Sequence, residues 1–322
     1  SHPEATLARQ YLAALYLKMG GLTQAYRLYQ EMARQNPDDP DIILSLGLMD
    51  IGRKDWKSAE TALQRARDLA PQSPVPIYYL GRLYEAQDRW AEALQWYQRI
   101  HSGPLYPEVE LRSARVEYLL GDHDKATEKL RTLAATYPQE AQIPLLEANL
   151  LQGSGHLHQA LQVTSLALQR MPDQPGLWYA QGAIYEQLKD YPAMEKAMRT
   201  VIRLAPDHAQ AYNFIGYSLV ERHSDLAEAQ KLLTKALSLD PDNAEILDSV
   251  GWLHHVQGDN KQALEYLQKA HTALPDDAEV SAHLGRVLWS LGRFTDARQV
   301  WQSALQKHPD DAALKSDLAR QP

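Results

Sequence analysis

The stretch "ILDSVGWLHHVQGD", Ile246 to Asp259, places a tryptophan, two adjacent histidines and an aspartate on what reads as one helix. Imidazole and carboxylate groups serve as metal ligands and as acid–base catalysts, so both chemistries have to be weighed first. Helical geometry argues against chelation: neighbouring residues point about 100° apart, so His254 and His255 cannot grip one ion together. His156 and His158, in the loop "GSGHLHQA", offer two ligands where a zinc site takes roughly three or four. "HSD", His223 to Asp225, reads as a polar loop, because catalytic triads are assembled by spatial geometry and not by adjacency. The chain has no G-x-x-x-x-G-K-[ST], no H-E-x-x-H and no G-x-S-x-G, and no G-x-G-x-x-G after a strand. It has no cysteine, hence no disulfide, no thiolate nucleophile and no cysteine-ligated zinc. No enzymatic activity, no metal and no cofactor are expected.

The 322 residues carry a formal net charge of −8. Nucleic-acid binding runs on Lys and Arg neutralising phosphates, and docking on an anionic membrane needs the same sign, so neither is expected. No run reaches the roughly 18 apolar residues that span a bilayer. The chain starts "SHPEATLARQ", with neither an initiator Met nor a signal peptide, and is expected to be a fragment or a processed product.

Small residues recur at Ala13, Gly47, Gly81, Ala114, Ala148, Gly182, Gly216, Gly251 and Gly285, with spacings of 34, 34, 33, 34, 34, 34, 35 and 34. A second series, from Ala25 through Ala59 and Ala93 to Ala297, and a proline series, from Pro37 and Pro71 to Pro309, run in the same phase. These mark nine repeats that start near 6, 40, 74, 107, 141, 175, 209, 244 and 278, followed by a cap or truncated repeat at 312–322. Each repeat reads as two short helices. The small residue lets them approach closely, large aromatics such as Tyr97, Trp178 and Trp301 fill the gaps between neighbours, and proline stops the second helix. One residue is missing near "HSGPLYP" and one is added in "ERHSDL", and both are expected to be absorbed in turns.

The segments "WYAQGAIY" (178–185) and "IYYLGRLY" (77–84) follow the pattern W-x2-L-G-x2-Y, and with the period of 34 the chain resembles a tetratricopeptide-repeat protein from end to end. The resemblance implies an all-α fold: one right-handed superhelical solenoid over 1–322. It also implies that the second, fifth, ninth, twelfth and thirteenth places of each repeat face a concave groove. In repeats seven to nine the fifth, ninth and twelfth places are Asn213, Tyr217 and Val220, then Asp248, Trp252 and His255, then Ala282, Arg286 and Trp289. Spacings of four and three align each set along its helix, and Tyr, Trp and Arg are the residues that dominate protein interfaces. Asn213, Tyr217, Asp248, Trp252, His255, Arg286 and Trp289 are therefore the candidate partner-binding residues, with the alternative that Trp252 is wedged between helices as core. Earlier repeats show a thinner stripe: Tyr78, Arg82 and Glu85, Leu111, Arg115 and Tyr118, then Tyr179 and Glu186. A groove histidine could tune binding near pH 6.

The segments "NFIGYSLVER", "LDSVGWLHHVQGD", "YLQKA" and "HLGRVLWSLGRFTDARQVWQSAL" resemble more narrowly the tetratricopeptide lipoproteins of Gram-negative bacteria. That resemblance implies a periplasmic protein, anchored to the outer membrane when full-length. It would be an adaptor that binds a carboxyl-terminal processing protease and brings it substrates such as peptidoglycan hydrolases. Any membrane contact would run through an anchor absent from this chain. The alternatives are an assembly scaffold in envelope biogenesis, for polysaccharide export or pilus assembly, using the convex face or the ends, and a cytoplasmic location.

Overall fold

The structure, a computed structural model, describes residues 3–320, with side chains from residue 8 onward. Among these residues are nineteen α-helices and no strand. Two helices belong to each repeat: α1 (Pro3–Lys18) and α2 (Leu22–Gln35), α3 (Pro40–Gly52) and α4 (Trp56–Leu69), α5 (Val75–Glu85) and α6 (Trp90–Tyr97), and α7 (Tyr106–Leu119) and α8 (His123–Thr136). The series continues with α9 (Gln142–Gly153), α10 (Leu157–Arg170), α11 (Pro175–Gln187), α12 (Tyr191–Leu204), α13 (Ala209–Glu221), α14 (Leu226–Leu239), α15 (Ala244–Val256), α16 (Asn260–Ala273), α17 (Ala278–Ser290) and α18 (Phe294–Lys307). The short α19 (Ala312–Leu318) closes the chain, a first helix without its partner.

The central small residues set the spacing within a pair. A methyl group built on Gly251 would lie 2.7 Å from Leu267 Cγ on α16, one on Gly216 2.7 Å from Leu233 Cγ on α14, and one on Gly81 2.3 Å from the Tyr97 ring. At Gly285 the clash is 2.0 Å, with the Trp301 indole. No heavy atom fits at these distances, so the helices meet only because the side chain is absent. Ala59, Ala93, Ala229, Ala263 and Ala297 on the second helices are fully buried.

Ends are set locally. In every repeat but the third, a proline stands two residues beyond the last helical residue, as with Pro37 after α2 and Pro275 after α16, where its missing N–H costs nothing. Asp39, Asn243, Asp277 and Asp311 cap the first helices that follow, accepting from backbone amides. In "PDH" the cap of α13 is His208, whose Nδ1 accepts from the Ala211 amide at 3.2 Å. In the turn inside each repeat one residue has positive φ: Gly20, Lys54, Asp88, Gly121, Gly155, Lys189, His223, Gly258 and Gly292. The extra residue of repeat seven lies in that turn, at 222–225. The missing residue accompanies a shortening of α6 to 8 residues, against 14 for α4.

Helices group into two compact units, one up to Ser154 and one from Gly155, the division falling within "GSGHLHQA". Within each unit every helix packs on the next. First helices also pack on one another: α3 on α5 and α7 on α9 in the first unit, α13 on α15, α15 on α17 and α17 on α19 in the second. The second unit's core runs through Met194, Met198, Ile215, Leu233 and Ile246, and a further cluster gathers Leu267, Val287, Trp301 and Leu314.

Rigidity of the facing group decides what a methyl costs. Gly285→Ala meets a fully buried indole and is expected to lower stability by about 1–3 kcal/mol, less the few tenths to ~1 kcal/mol that alanine gains in a helix. Gly182→Ala meets the flexible end of Met198 at 2.8 Å, and should come out near neutral. Urea unfolding of the two variants checks the difference, and equal losses would refute it.

Candidate functional site

The second unit brings most of the candidate residues together through contacts between successive first helices. α13 presents Asn213 and Tyr217, α15 presents Asp248, Trp252 and His255, and α17 presents Arg286 and Trp289. The centre is a residue from none of the groove-facing places, His283 on α17. Its ring stacks on the Trp252 indole with centroids 4.1 Å apart and planes 13° off parallel. Its Nδ1 lies 2.9 Å from the Asp248 carboxylate, both groups being buried at 3% and 5% exposure. The Tyr217 ring lies 6.2 Å away and tilted, and His255 flanks Trp252 at 4.8 Å.

Polar ties hold the aromatic edges. Trp252 Nε1–H donates to Glu221 at 2.6 Å, and the Tyr217 hydroxyl donates to Glu279, two repeats further on. Burial raises the Tyr217 pKa, and the nearby charges of Glu279, Glu221 and Asp248 raise it further, so the phenol keeps its proton and remains a donor. His255 shifts the other way: burial lowers its pKa, and the charges of His283, Arg286 and Arg320 add to this against a hydrogen bond with Asn260.

Beside the wall lies a groove of about 500 Å³, lined by Asn213, Tyr217, Glu186, Glu221, Glu279 and Arg222 with Tyr191, Phe214 and Ser218. Of the seven candidates Asn213 and Tyr217 line it, Asp248, Trp252 and His255 belong to the wall, and Arg286 and Trp289 are engaged elsewhere. Arg286 donates Nε–H to Asp317 of α19 at 2.7 Å, its guanidinium 5.7 Å from the Trp252 ring. Trp289 packs on Phe294 and Trp301, in the C-terminal core. His254 stacks on Tyr266 of α16 inside its own helix pair. In the first unit Tyr78 is buried, and Arg112 bridges Glu85 at 2.9 Å and Glu108 at 2.8 Å.

Glu221 and Glu279 occupy the thirteenth and second places of their repeats, so the sequence held a signal for them that the fifth, ninth and twelfth places alone did not show. His283 carried none beyond the need of a buried carboxylate for a partner. Asp225 of "HSD" caps α14, and His223 takes the positive-φ position of the same turn. Among the described residues no three His, Asp or Glu side chains converge to hold a metal ion, and no helix is long and apolar enough to cross a membrane.

Comparison with known proteins places this geometry. Four profiles described as tetratricopeptide repeat match residues 12–74 and 218–278, 50–102 and 257–320, 108–140, and 175–208. The TPR repeat-containing protein PA4667 of Pseudomonas aeruginosa is 35% identical over 182 residues, 56% of this chain and 31% of that protein. YpiA of Bacillus subtilis is 21% identical, over 82% of this chain and 63% of its own length. Cellulose synthase 2 operon protein C of Komagataeibacter xylinus is 24% identical, over 71% of this chain and 21% of its own. The chain thus spans less than two thirds of each of these relatives. Among solved structures, the Cut9–Hcn1 hetero-tetramer of APC/C aligns over 97% of this chain and 82% of that one, with a TM-score of 0.57 at 13% identity. A tetratricopeptide-repeat protein from Parabacteroides merdae aligns over 87% and 97%, with a TM-score of 0.55 at 15% identity. Repeat period, helix pairing and family match agree, and the chain belongs to the tetratricopeptide-repeat family.

Proposed function

We propose that the second unit holds a segment of a partner protein in the groove beside Tyr217 and Trp252, and that the chain works as an adaptor without chemistry of its own. The observation that carries this reading is the wall itself. Tyr217, Trp252 and His283 come from three successive repeats and are fixed by stacking and by ties to Glu279, Glu221 and Asp248. Aromatic groups already held in place lose little freedom on binding, which is where flexible surfaces forfeit affinity. Tetratricopeptide repeats in general mediate protein–protein contact, which agrees with a wall built to receive a chain.

The finer reading is an adaptor in the periplasm, anchored to the outer membrane in the full-length protein, that delivers substrates to a carboxyl-terminal processing protease. The motif resemblance of the last repeats supports it, and the repeat protein of Pseudomonas aeruginosa, a Gram-negative bacterium, is 35% identical over 56% of this chain. A second reading has its own support: the relative named for a cellulose synthase operon aligns over 71% of this chain, which favours an assembly scaffold in polysaccharide export.

Photo-crosslinking from position 217 in producing cells separates the two, by capture of a processing protease or its substrate in one case and of a polysaccharide-export component in the other. With the captured partner, Tyr217→Ala/Trp252→Ala is expected to weaken binding at least about 30-fold at unchanged helicity, since such anchors cost ~2 kcal/mol or more each. Unchanged affinity would remove the site.

The lowered pKa of His255 keeps it neutral to a lower pH than an ordinary histidine. The unfolded chain, with a pKa near 6.5, takes up the proton first as pH falls. The stability His255 contributes is thus complete above about pH 6.5 and is lost as pH drops through its lower folded value. Its ring signals in NMR should titrate with a midpoint below 6.5, and His255→Gln should lose less stability than the parent between about pH 7 and 5. A midpoint at or above 6.5 would contradict this.

A further inference from the structure

The groove of the second unit carries negative charge that the protein leaves unanswered. Glu186, Glu221 and Glu279 line it against one guanidinium, that of Arg222. Arg222 is itself engaged: its Nε–H donates to the Ser218 carbonyl at 3.0 Å and it lies over the Tyr191 ring at 4.4 Å. Among the described residues none of the three glutamates has a Lys or Arg within ion-pair distance, although ion pairs of this kind recur elsewhere along the chain. Glu279 and Glu221 are held instead by neutral donors, the Tyr217 hydroxyl and the Trp252 indole. A carboxylate offers about four lone-pair sites, so each keeps accepting capacity.

Asn213 adds to the imbalance. It is 8% exposed, it lines the same groove, and its Oδ1 is buried without a donor. A buried polar atom left unpaired is costly, about 1–3 kcal/mol, and asks for a hydrogen-bond donor. The lining is thus rich in acceptors and poor in donors.

The first unit shows how the same fold closes such a site from within. Glu85 stands at the twelfth place of repeat three, as Glu186 does in repeat six, and Glu108 at the second place of repeat four, as Glu279 does in repeat nine. Arg112, at the sixth place of repeat four, neutralises both Glu85 and Glu108 and receives the Tyr78 ring below it. The sixth place of repeat seven, where an arginine would meet Glu186, is Phe214, and that of repeat nine is His283, turned to Asp248. The built-in cation of the first unit has no counterpart in the second.

We propose that the groove selects a basic segment: a Lys or Arg side chain of the partner enters among Glu186, Glu221 and Glu279, in the role Arg112 plays in the first unit, with Asn213 Oδ1 accepting from the partner. A Lys ammonium brings three donors and an Arg guanidinium five, matching a lining of acceptors, and aromatic rings beside a cation add attraction. The inference rests on the reading of this groove as a protein-binding site, and sharpens it to one chemistry.

Two labelled peptides of equal length and apolar content serve as probes, Ala-Leu-Lys-Ala-Leu-Arg-Ala-Leu and its counterpart with Gln for Lys and Arg, titrated by fluorescence anisotropy onto the full chain. The basic peptide is expected to bind at least tenfold more tightly than the neutral one. Glu186→Gln/Glu279→Gln should weaken it about tenfold or more, and Phe214→Arg, which supplies the missing cation internally, should do the same. Glu265→Gln, an exposed carboxylate on α16, should leave it unchanged. Equal loss with Glu265→Gln and with the groove variants would mean attraction to net charge alone and would overturn the proposal. A neutral peptide that binds as well as the basic one, lost in Tyr217→Ala/Trp252→Ala and untouched by the glutamine changes, would overturn the basic preference and leave the groove standing. Binding of neither peptide would overturn it as well.

Discussion

One small residue per repeat, glycine in six repeats and alanine in three, governs this molecule. Where Gly47, Gly81, Gly216, Gly251 and Gly285 stand, the facing helix lies so near that a methyl group would sit within 3.0 Å of its side chains. Neither helix of a pair buries its apolar stripe alone, so the pair forms only if it closes to this distance, and pairs become stable only as they stack. Because the same place in each repeat sets the same approach, first helices repeat in register. Side chains 34 or 35 positions apart then stand side by side, as Asp248 and His283 do.

The groove is a consequence of that register. Tyr217 reaches Glu279 across an intervening repeat, and Trp252 lies between Glu221 on one neighbour and His283 on the other. No single repeat contains the wall. Its charge follows from single positions as well: at the sixth place an arginine closes the carboxylates in the first unit, whereas phenylalanine and histidine leave them open in the second.

Most of the fold was legible in the sequence because its signals are local and repeated. The period, the glycine and alanine series and the terminating prolines act on their own backbone or on the adjacent helix, and the structure places them accordingly. The site was legible in part. Tyr217 and Trp252 belong to one wall, but the direction of Trp289 depends on Phe294 and Trp301, which compete for it from the next helix. Arg286 is drawn to Asp317 in the short α19, a contact that spacing along one helix cannot disclose. His283 was hidden because its place normally faces a neighbouring helix, and only the buried Asp248 gives it a polar task. The shortened α6 was likewise unseen, since a deletion of one residue does not say how much helix unwinds around it.

The central claim is that contacts between non-adjacent repeats fix the wall before any partner arrives, and a double-mutant cycle on Tyr217 and Glu279 tests it most directly. Tyr217→Phe removes the donor, Glu279→Ala removes the acceptor, and stability is measured for both single variants and the double variant. The account predicts a coupling of about 0.5 kcal/mol or more, as for residues in direct contact. Losses that simply add, within the ~0.3 kcal/mol expected of independent sites, would contradict it.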